Sequence, residues 1–207
     1  MATKELLIVF VKNIKLGKVK TRLAKTIGDD AAFEVYKKLV AITEKATANV
    51  EVDKRIYFSD VIIESKWEGV PTYVQEGADL GERMQNAFNA AFADGYAKVI
   101  LIGSDLPDMK EEILEEAFLS LEKSEVVLGP AEDGGYYLLG MQKDYNFIFE
   151  AMPWSKSNLL QITKAKLDAH QVGYSLLKTL NDIDNEDDLK ASSFYTDLTQ
   201  NILSLML

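Results

Sequence analysis

The 207-residue chain has no cysteine, which excludes a disulfide framework, a cysteine-ligated metal site and a thiol nucleophile. Histidine is nearly absent too. With His170 alone, any metal site must be rich in oxygen ligands, which favours Mg²⁺ or Mn²⁺ over Zn²⁺. Positive charge is in deficit, 23 Lys and Arg against 33 Asp and Glu, giving a net charge of −10 and a pI near 4.7. That balance argues against a nucleic-acid partner, which normally meets a basic face. Long apolar runs are missing as well. The run Leu6 to Val11, between Glu5 and Lys12, is too short to span a bilayer, and no small-residue cleavage site follows it. The expectation is a soluble cytoplasmic protein with no membrane partner. No repeat, low-complexity segment or linker interrupts the chain, so its length fits one domain.

What the chain does contain is a regular alternation of strand-like and helix-like segments, with a hydrophobic fraction of 47% sufficient for a packed core. "ELLIVFVK" is a continuous apolar run of strand length, as expected of a central parallel strand covered on both faces. "GDDAAFEVYKKLVAITEKA" places Phe33, Tyr36, Leu39, Val40 and Thr43 at helical spacing, with Asp29 and Asp30 at its N-terminal end. "DKRIYFSD" and "PTYVQEG" read as strands. "GERMQNAFNAAFADG" reads as a helix with Gly95 as its C-cap. "AKVILIGSD" is a second buried strand, and "MKEEILEEAFLSLEKS" a clear amphipathic helix. "EVVLGP" and "YYLLGMQ" are strands around a glycine-rich turn. A polar helix from about Ser157 to His170, the strand "YSLLKTL" and a helix from about Glu186 to the end complete the series. Strands alternating with helices imply a layered α/β sandwich on a mostly parallel sheet.

In open α/β sheets ligands bind beyond the carboxyl ends of the strands. Four stretches leave strand ends there with polar or glycine-rich residues, and their coincidence is more informative than any one of them. The first, "VKNIKLGKVKTRL", gathers Lys12, Lys15, Lys18, Lys20 and Arg22 in an otherwise acidic chain. It is not a Walker A loop, because Val19 follows Gly17-Lys18, and no G-x-G-x-x-G occurs anywhere. A glycine-relaxed loop remains, around Gly17, with Lys20 and Arg22 leading toward a helix; Lys20 offers a point charge and Arg22 a planar fork for phosphate oxygens. The plainer alternative is a solvated basic loop that balances nearby acids.

The second stretch ends a buried strand at Gly103-Ser104-Asp105, where a carboxylate can reach over the sheet edge to a hard cation. The alternative is an Asp that caps a turn, as Asp108 looks placed to do for the next helix. The third stretch, "GPAEDGGYYLLG", sets Glu132 and Asp133 before Gly134-Gly135 and Tyr136. Paired glycines allow positive φ and close approach of a ligand, and Asp-Gly is equally a hairpin signal. The fourth, "LNDIDNEDDL", carries Asp182 and Asp184 about Ile183. On extended backbone both carboxylates share a face and Ile183 packs inward, while Asp187 and Asp188 suit the start of the final helix. Smaller candidates are Asp79 and Arg83, which could join the same cleft or simply open a helix, and Trp154, which could stack on a sugar or base but more often packs. The tail "NILSLML" reads as core, with a dimer contact as second choice, and His170 as an exposed helix end without a role.

The ordered series "GKVKTRLA", "DLGERM", "GSDLPD", "GPAEDGGYYLLG" and "DIDNEDDL" resembles a bacterial family of small nucleotide-diphospho-sugar transferase-like proteins, members of which are described as glycosyltransferases related to arsenosugar biosynthesis. The family is similar in turn to the 2-phospholactate and molybdenum-cofactor guanylyltransferases, which share the K-x-R loop. The resemblance spans nearly the whole chain. It implies a single GT-A-type domain over residues 1–207, a Rossmann-like three-layer α/β/α sandwich, and a metal-assisted reaction of a nucleotide-activated substrate. By position it assigns Lys20 and Arg22 to phosphate handling, Asp105 with Asp182 or Asp184 to the metal, and Asp133 to Tyr136 to the substrate-side loop. One departure stands out: no D-x-D follows the central strand, and the only such spacing near a strand end is Asp182-Ile183-Asp184.

The expected activity is therefore a Mg²⁺- or Mn²⁺-dependent glycosyltransferase acting on a nucleotide-diphospho-sugar and a small acceptor, with Asp133 or Glu132 as base. The alternatives are a nucleotidylyltransferase, which joins an NTP to a phosphorylated small molecule with loss of pyrophosphate, and a non-catalytic sugar-nucleotide sensor. A monomer or homodimer is expected.

Overall fold

The computed structural model describes residues 4–13, 15, 17, 19–192 and 194–195. Lys18 of the basic loop and the tail "NILSLML" lie outside the described residues.

Strand β1 (Glu5–Val11) is central and buried from Leu6 onward, as its unbroken apolar run requires. It pairs in parallel with β2 (Asp53–Phe58) on one side and β4 (Lys98–Ile102) on the other. The short strand β3 (Thr72–Val74) extends the sheet beyond β2. On the other wing β5 (Val126–Pro130) and β6 (Tyr136–Met141) form a hairpin, and β6 is inserted antiparallel between β4 and β5. The last strand, β7 (Tyr174–Leu176), runs parallel to β5. The order is β3-β2-β1-β4-β6-β5-β7, a mostly parallel seven-stranded sheet.

Alternation of side chains along the strands feeds two cores. Leu7, Val9 and Val11 of β1 join Ile100 and Ile102 beneath α2 (Asp29–Ala48) and α4 (Glu111–Ser120), contributed by Tyr36, Val40, Leu114 and Phe118. Leu6, Ile8 and Phe10 face the other way, toward Met84 and Phe88 of α3 (Leu80–Ala93) and Leu167 of α5 (Leu159–Ala169). Covering a strand of this kind on both sides contributes roughly 1.5–3 kcal/mol for each fully buried large side chain. A third cluster joins Leu23 of α1 (Thr21–Ile27) to Leu39 of α2 and to Ile183 and Leu189, the latter on α6 (Glu186–Ala191).

Several local readings need correction. The basic stretch does not stay a loop: α1 begins at Thr21, directly behind Lys20, whose left-handed backbone (φ 47, ψ 44) makes the turn into it. Asp108 does not hold the N-cap of α4, which falls on Lys110. Gly95 lies one residue past the C-cap of α3, at Asp94, with the positive φ of 82° expected of that next position. Helix α6 ends at Ala191, where Ser192 turns extended; residues 193 and 196–207 of the expected final helix lie outside the described residues.

Candidate active site

The carboxyl ends of β1, β4, β5 and β7 open onto one cleft of about 470 Å³, and all four stretches singled out above contribute to it. The way into the basic loop is fixed first. Asn13 is buried, its amide donating to Ser59 Oγ at 2.9 Å and its Oδ1 accepting from the Val61 amide at 3.0 Å. The Tyr36 hydroxyl accepts from the Lys12 amide at 3.0 Å, donates to the Lys12 carbonyl at 3.1 Å and lies 3.0 Å from Ser104 Oγ. A single hydroxyl on α2 therefore ties the loop after β1 to the turn after β4. Burial pushes that phenol well above its ordinary range, so it works as a neutral hydrogen-bonding group.

Lys20 comes next, and its side chain is only 5% exposed. Its Nζ sits 3.2 Å from Asp105 Oδ2 and 3.2 Å from Asp184 Oδ1. Arg22, far more exposed, points Nη1 at Asp184 Oδ2 over 3.3 Å. Asp105 reaches this point through the short Gly103-Ser104 turn after β4. Asp182 and Asp184 reach it because the chain beyond β7 continues alongside β5: the Leu177 amide donates to Leu128 at 2.9 Å and the Leu180 amide to Pro130 at 3.1 Å. The Ile183 amide then contacts the Asp105 carbonyl at 3.4 Å, while the Ile183 side chain is wholly buried. Ile183 is thus turned inward and its two acidic neighbours toward the cleft, as the alternation predicts. A capping box at Asn185 and Asp188 starts α6 immediately afterwards.

The result is a group of three carboxylates, Asp105, Asp182 and Asp184, with one oxygen of each within 4.8 Å of the others. Burial and the neighbouring Asp105, Asp133 and Asp184 carboxylates push Asp182 up to about 7. Burial works in the same direction on Asp105, but the Lys20 and Lys12 ammonium groups outweigh it and hold that carboxyl below its ordinary range. For Lys20, burial pulls downward, and the attraction of Asp105 and Asp184 more than offsets it, so the lysine stays charged.

The opposite wall is the β5–β6 hairpin. Asp133 Oδ1 accepts the Gly135 amide at 2.7 Å, and Gly134 turns at φ 89° against the Ser157 carbonyl, so closely that a Cβ there would collide with it. The Leu160 amide donates to the Gly134 carbonyl at 2.9 Å, which docks the hairpin on the start of α5.

Of the residues expected at the site, Lys20, Arg22, Asp105, Asp133, Gly135, Tyr136, Asp182 and Asp184 line this cleft. Glu132, Gly17, Asp79 and Arg83 are not among its lining residues. Glu132 is exposed, and Gly134 borders a separate hollow beside Ser157 and Lys164. Asp79 caps α3, its side chain accepting from the Glu82 amide at 2.9 Å, and Arg83 Nε donates to the Gly77 carbonyl at 3.1 Å. Their neighbours Leu80 and Met84 line the cleft instead. Trp154 packs, its indole lying against Gly81 and 6.5 Å from the Phe149 ring. His170 stacks on Phe147 at 3.8 Å at the end of α5. Tyr36 is the contributor that sequence reasoning placed only in the core; a tyrosine on a stripe where phenylalanine would pack equally well was its one signal. Lys156, also on the lining, had none.

The architecture is that of the nucleotide-diphospho-sugar transferase fold. A crystal structure of a protein from Desulfovibrio desulfuricans G20, provisionally described as a nucleotide-diphospho-sugar transferase, superposes with a TM-score of 0.86 at 30% identity, covering 98% of this chain and 96% of that one. The chain belongs to the family described as uncharacterized proteins conserved in bacteria, DUF2064, which it matches over residues 38–156. That span holds Asp105 and Asp133 but not Lys20, Arg22, Asp182 or Asp184. The fold is also shared with CMP:2-keto-3-deoxy-manno-octonic acid synthetase complexed with CTP, at a TM-score of 0.58 and 9% identity over 99% of this chain and all of that one. A manganese complex of Rv0371c from Mycobacterium tuberculosis H37Rv matches at a TM-score of 0.53 and 12% identity, covering 92% of this chain and 97% of that one. No curated protein matches the chain by sequence. Among the described residues, no helix is long and apolar enough to cross a membrane.

Proposed function

We propose that the chain is a divalent-metal-assisted glycosyltransferase, which moves a sugar from a nucleotide-diphospho-sugar to a small acceptor. The observation that carries the reading is the meeting of three carboxylates with a buried lysine and an arginine at the strand ends. Three hard oxygen donors within 4.8 Å, one of them, Asp182, with its carboxyl pushed up by burial and by its acidic neighbours, are a donor set suited to Mg²⁺ or Mn²⁺. Asp105, Asp182 and Asp184 would hold that ion, which when bound supplies charge stabilisation to a departing diphosphate. Lys20 and Arg22, both on the lining of the cleft, share that developing charge. Asp133 is the base for the acceptor hydroxyl in preference to Glu132, because only Asp133 faces the cleft. Its Oδ1 accepts the Gly135 amide, which leaves Oδ2 without that bond and available to an acceptor hydroxyl.

The second reading, nucleotidylyl transfer with release of pyrophosphate, is favoured by one observation. Three cations, Lys12, Lys20 and Arg22, line the same side of the cleft, which suits a triphosphate at least as well as a diphosphate. Calorimetric binding of a panel of NTPs and NDP-sugars with and without Mn²⁺, followed by product analysis, separates the two. Release of nucleoside diphosphate supports sugar transfer, and release of pyrophosphate supports nucleotidylyl transfer. Metal-dependent turnover that survives Asp105→Ala would defeat the metal assignment in both.

A further inference from the structure

Lys20 holds a position that a divalent ion would also need. Its ammonium lies 3.2 Å from one oxygen of Asp105 and 3.2 Å from one oxygen of Asp184, two of the three carboxylates of the acidic group. A Mg²⁺ or Mn²⁺ ion bound by the same oxygens would sit roughly 2.0–2.2 Å from each. It would then lie within a few ångströms of the ammonium nitrogen, at a charge repulsion that the half-buried setting screens poorly. The two cations compete for the same carboxylates. The Lys20 side chain is almost entirely buried in this pairing, at the turn into α1. Arg22, two residues further on, is exposed and contacts the other oxygen of Asp184, so it does not occupy the same place.

Resting on the reading of Asp105, Asp182 and Asp184 as a metal site, we propose that Lys20 is an exchangeable counter-cation: it neutralises the acidic group until a nucleotide's phosphates draw the ammonium away, and only then do the carboxylates accept a divalent ion. Metal and nucleotide would accordingly bind as a coupled pair. The nucleotide supplies the negative charge that Lys20 moves to, and the ion supplies the positive charge that Lys20 leaves behind. By linkage each ligand strengthens the other by the same factor. The device also keeps the protein from holding a metal when no substrate is present.

The test is a binding cycle with Mn²⁺ alone, CTP alone and both together, on the wild-type protein and on Lys20→Met, which keeps the stem and removes the charge. In the wild type CTP should tighten Mn²⁺ binding by about tenfold or more. In Lys20→Met, Mn²⁺ alone should bind about tenfold tighter than to the wild type, and the coupling to CTP should shrink toward unity. Lys20→Gln retains a hydrogen-bond donor toward one carboxylate and is the second variant should Lys20→Met fail to melt cooperatively; the same two changes are expected of it. Variants that bind Mn²⁺ no tighter than the wild type, while Asp184→Asn abolishes binding, overturn the exchange and leave the metal site standing. Mn²⁺ that binds none of these proteins, with or without CTP, overturns the metal reading and the exchange with it.

Discussion

The backbone amide of Asp184 donates to the carboxylate of Asp188 at 3.0 Å, so the cap of a six-residue helix also holds a residue of the acidic site. Asp188 accepts the Asn185 amide at the same distance, and Asn185 returns bonds to the amides of Asp187 and Asp188. Asp188→Ala should cost about 1 kcal/mol in urea unfolding, the usual cost of a lost cap. It should also weaken Mn²⁺ binding several-fold in calorimetry, because Asp184 is no longer aimed. A loss of stability with metal affinity unchanged would show the cap to be structural alone.

Asp182 makes the metal-free protein less stable as pH rises. Its carboxyl titrates near 7 in the folded chain, against about 3.9 when unfolded, so between those values the folded state binds more protons and stability falls with increasing pH. Asp182→Asn removes the penalty. With EDTA present the variant should be more stable than the wild type at pH 8, by roughly 1–3 kcal/mol, and the gain should vanish by about pH 4. Chemical denaturation at the two pH values measures it; a gain that is the same at both would show that the effect is not electrostatic.

Arg22 makes its ion pair with Asp184 from an exposed position, 65% of its side chain open to solvent. Pairs of that kind add about 0–1 kcal/mol. Arg22→Ala should leave the urea midpoint almost unchanged while lowering nucleotide affinity by about tenfold, the loss of one charge-assisted contact to phosphate. Equal damage to stability would mean that the arginine serves the fold.

Gly134 tolerates no side chain, because its φ is 89° and the Ser157 carbonyl fills the space where a Cβ would point. Gly134→Ala should destabilise the chain by more than about 1 kcal/mol, since both the backbone region and the contact are unfavourable. It should also disturb ligand binding by shifting Asp133 and Gly135 on the same turn. Thermal melting combined with nucleotide titration checks both effects.

How much of this could be read beforehand depends on whether the information was local. The buried run of β1 and the helical stripe of α2 were legible because a covered strand and an amphipathic helix leave different periods in the sequence. The inward turn of Ile183 between two outward carboxylates was legible for the same reason. Helix α1 was not: its turn-in residue is a lysine in a left-handed conformation with no capping side chain, so none of the usual starting signals precedes Thr21. Asp79 and Arg83 looked like cleft residues because charge near a strand end invites that reading; each bonds to the backbone around the start of α3, and neither lines the cleft. The insertion of β6 between β4 and β5 depends on contacts far apart in the chain, which no local pattern encodes.

Both margins of the sheet are three residues long, Thr72–Val74 at one end and Tyr174–Leu176 at the other. Tyr73, Val74 and Leu176 are partly exposed there, so the margins are not shielded by polarity. Their brevity does that work: a foreign strand laid alongside finds too few free backbone groups to zip onto, which guards against fibrous, edge-to-edge aggregation. Any self-association through these margins would have to be built from side-chain contacts, and would be sensitive to substitution at Tyr73 or Leu176 while indifferent to the strand backbone.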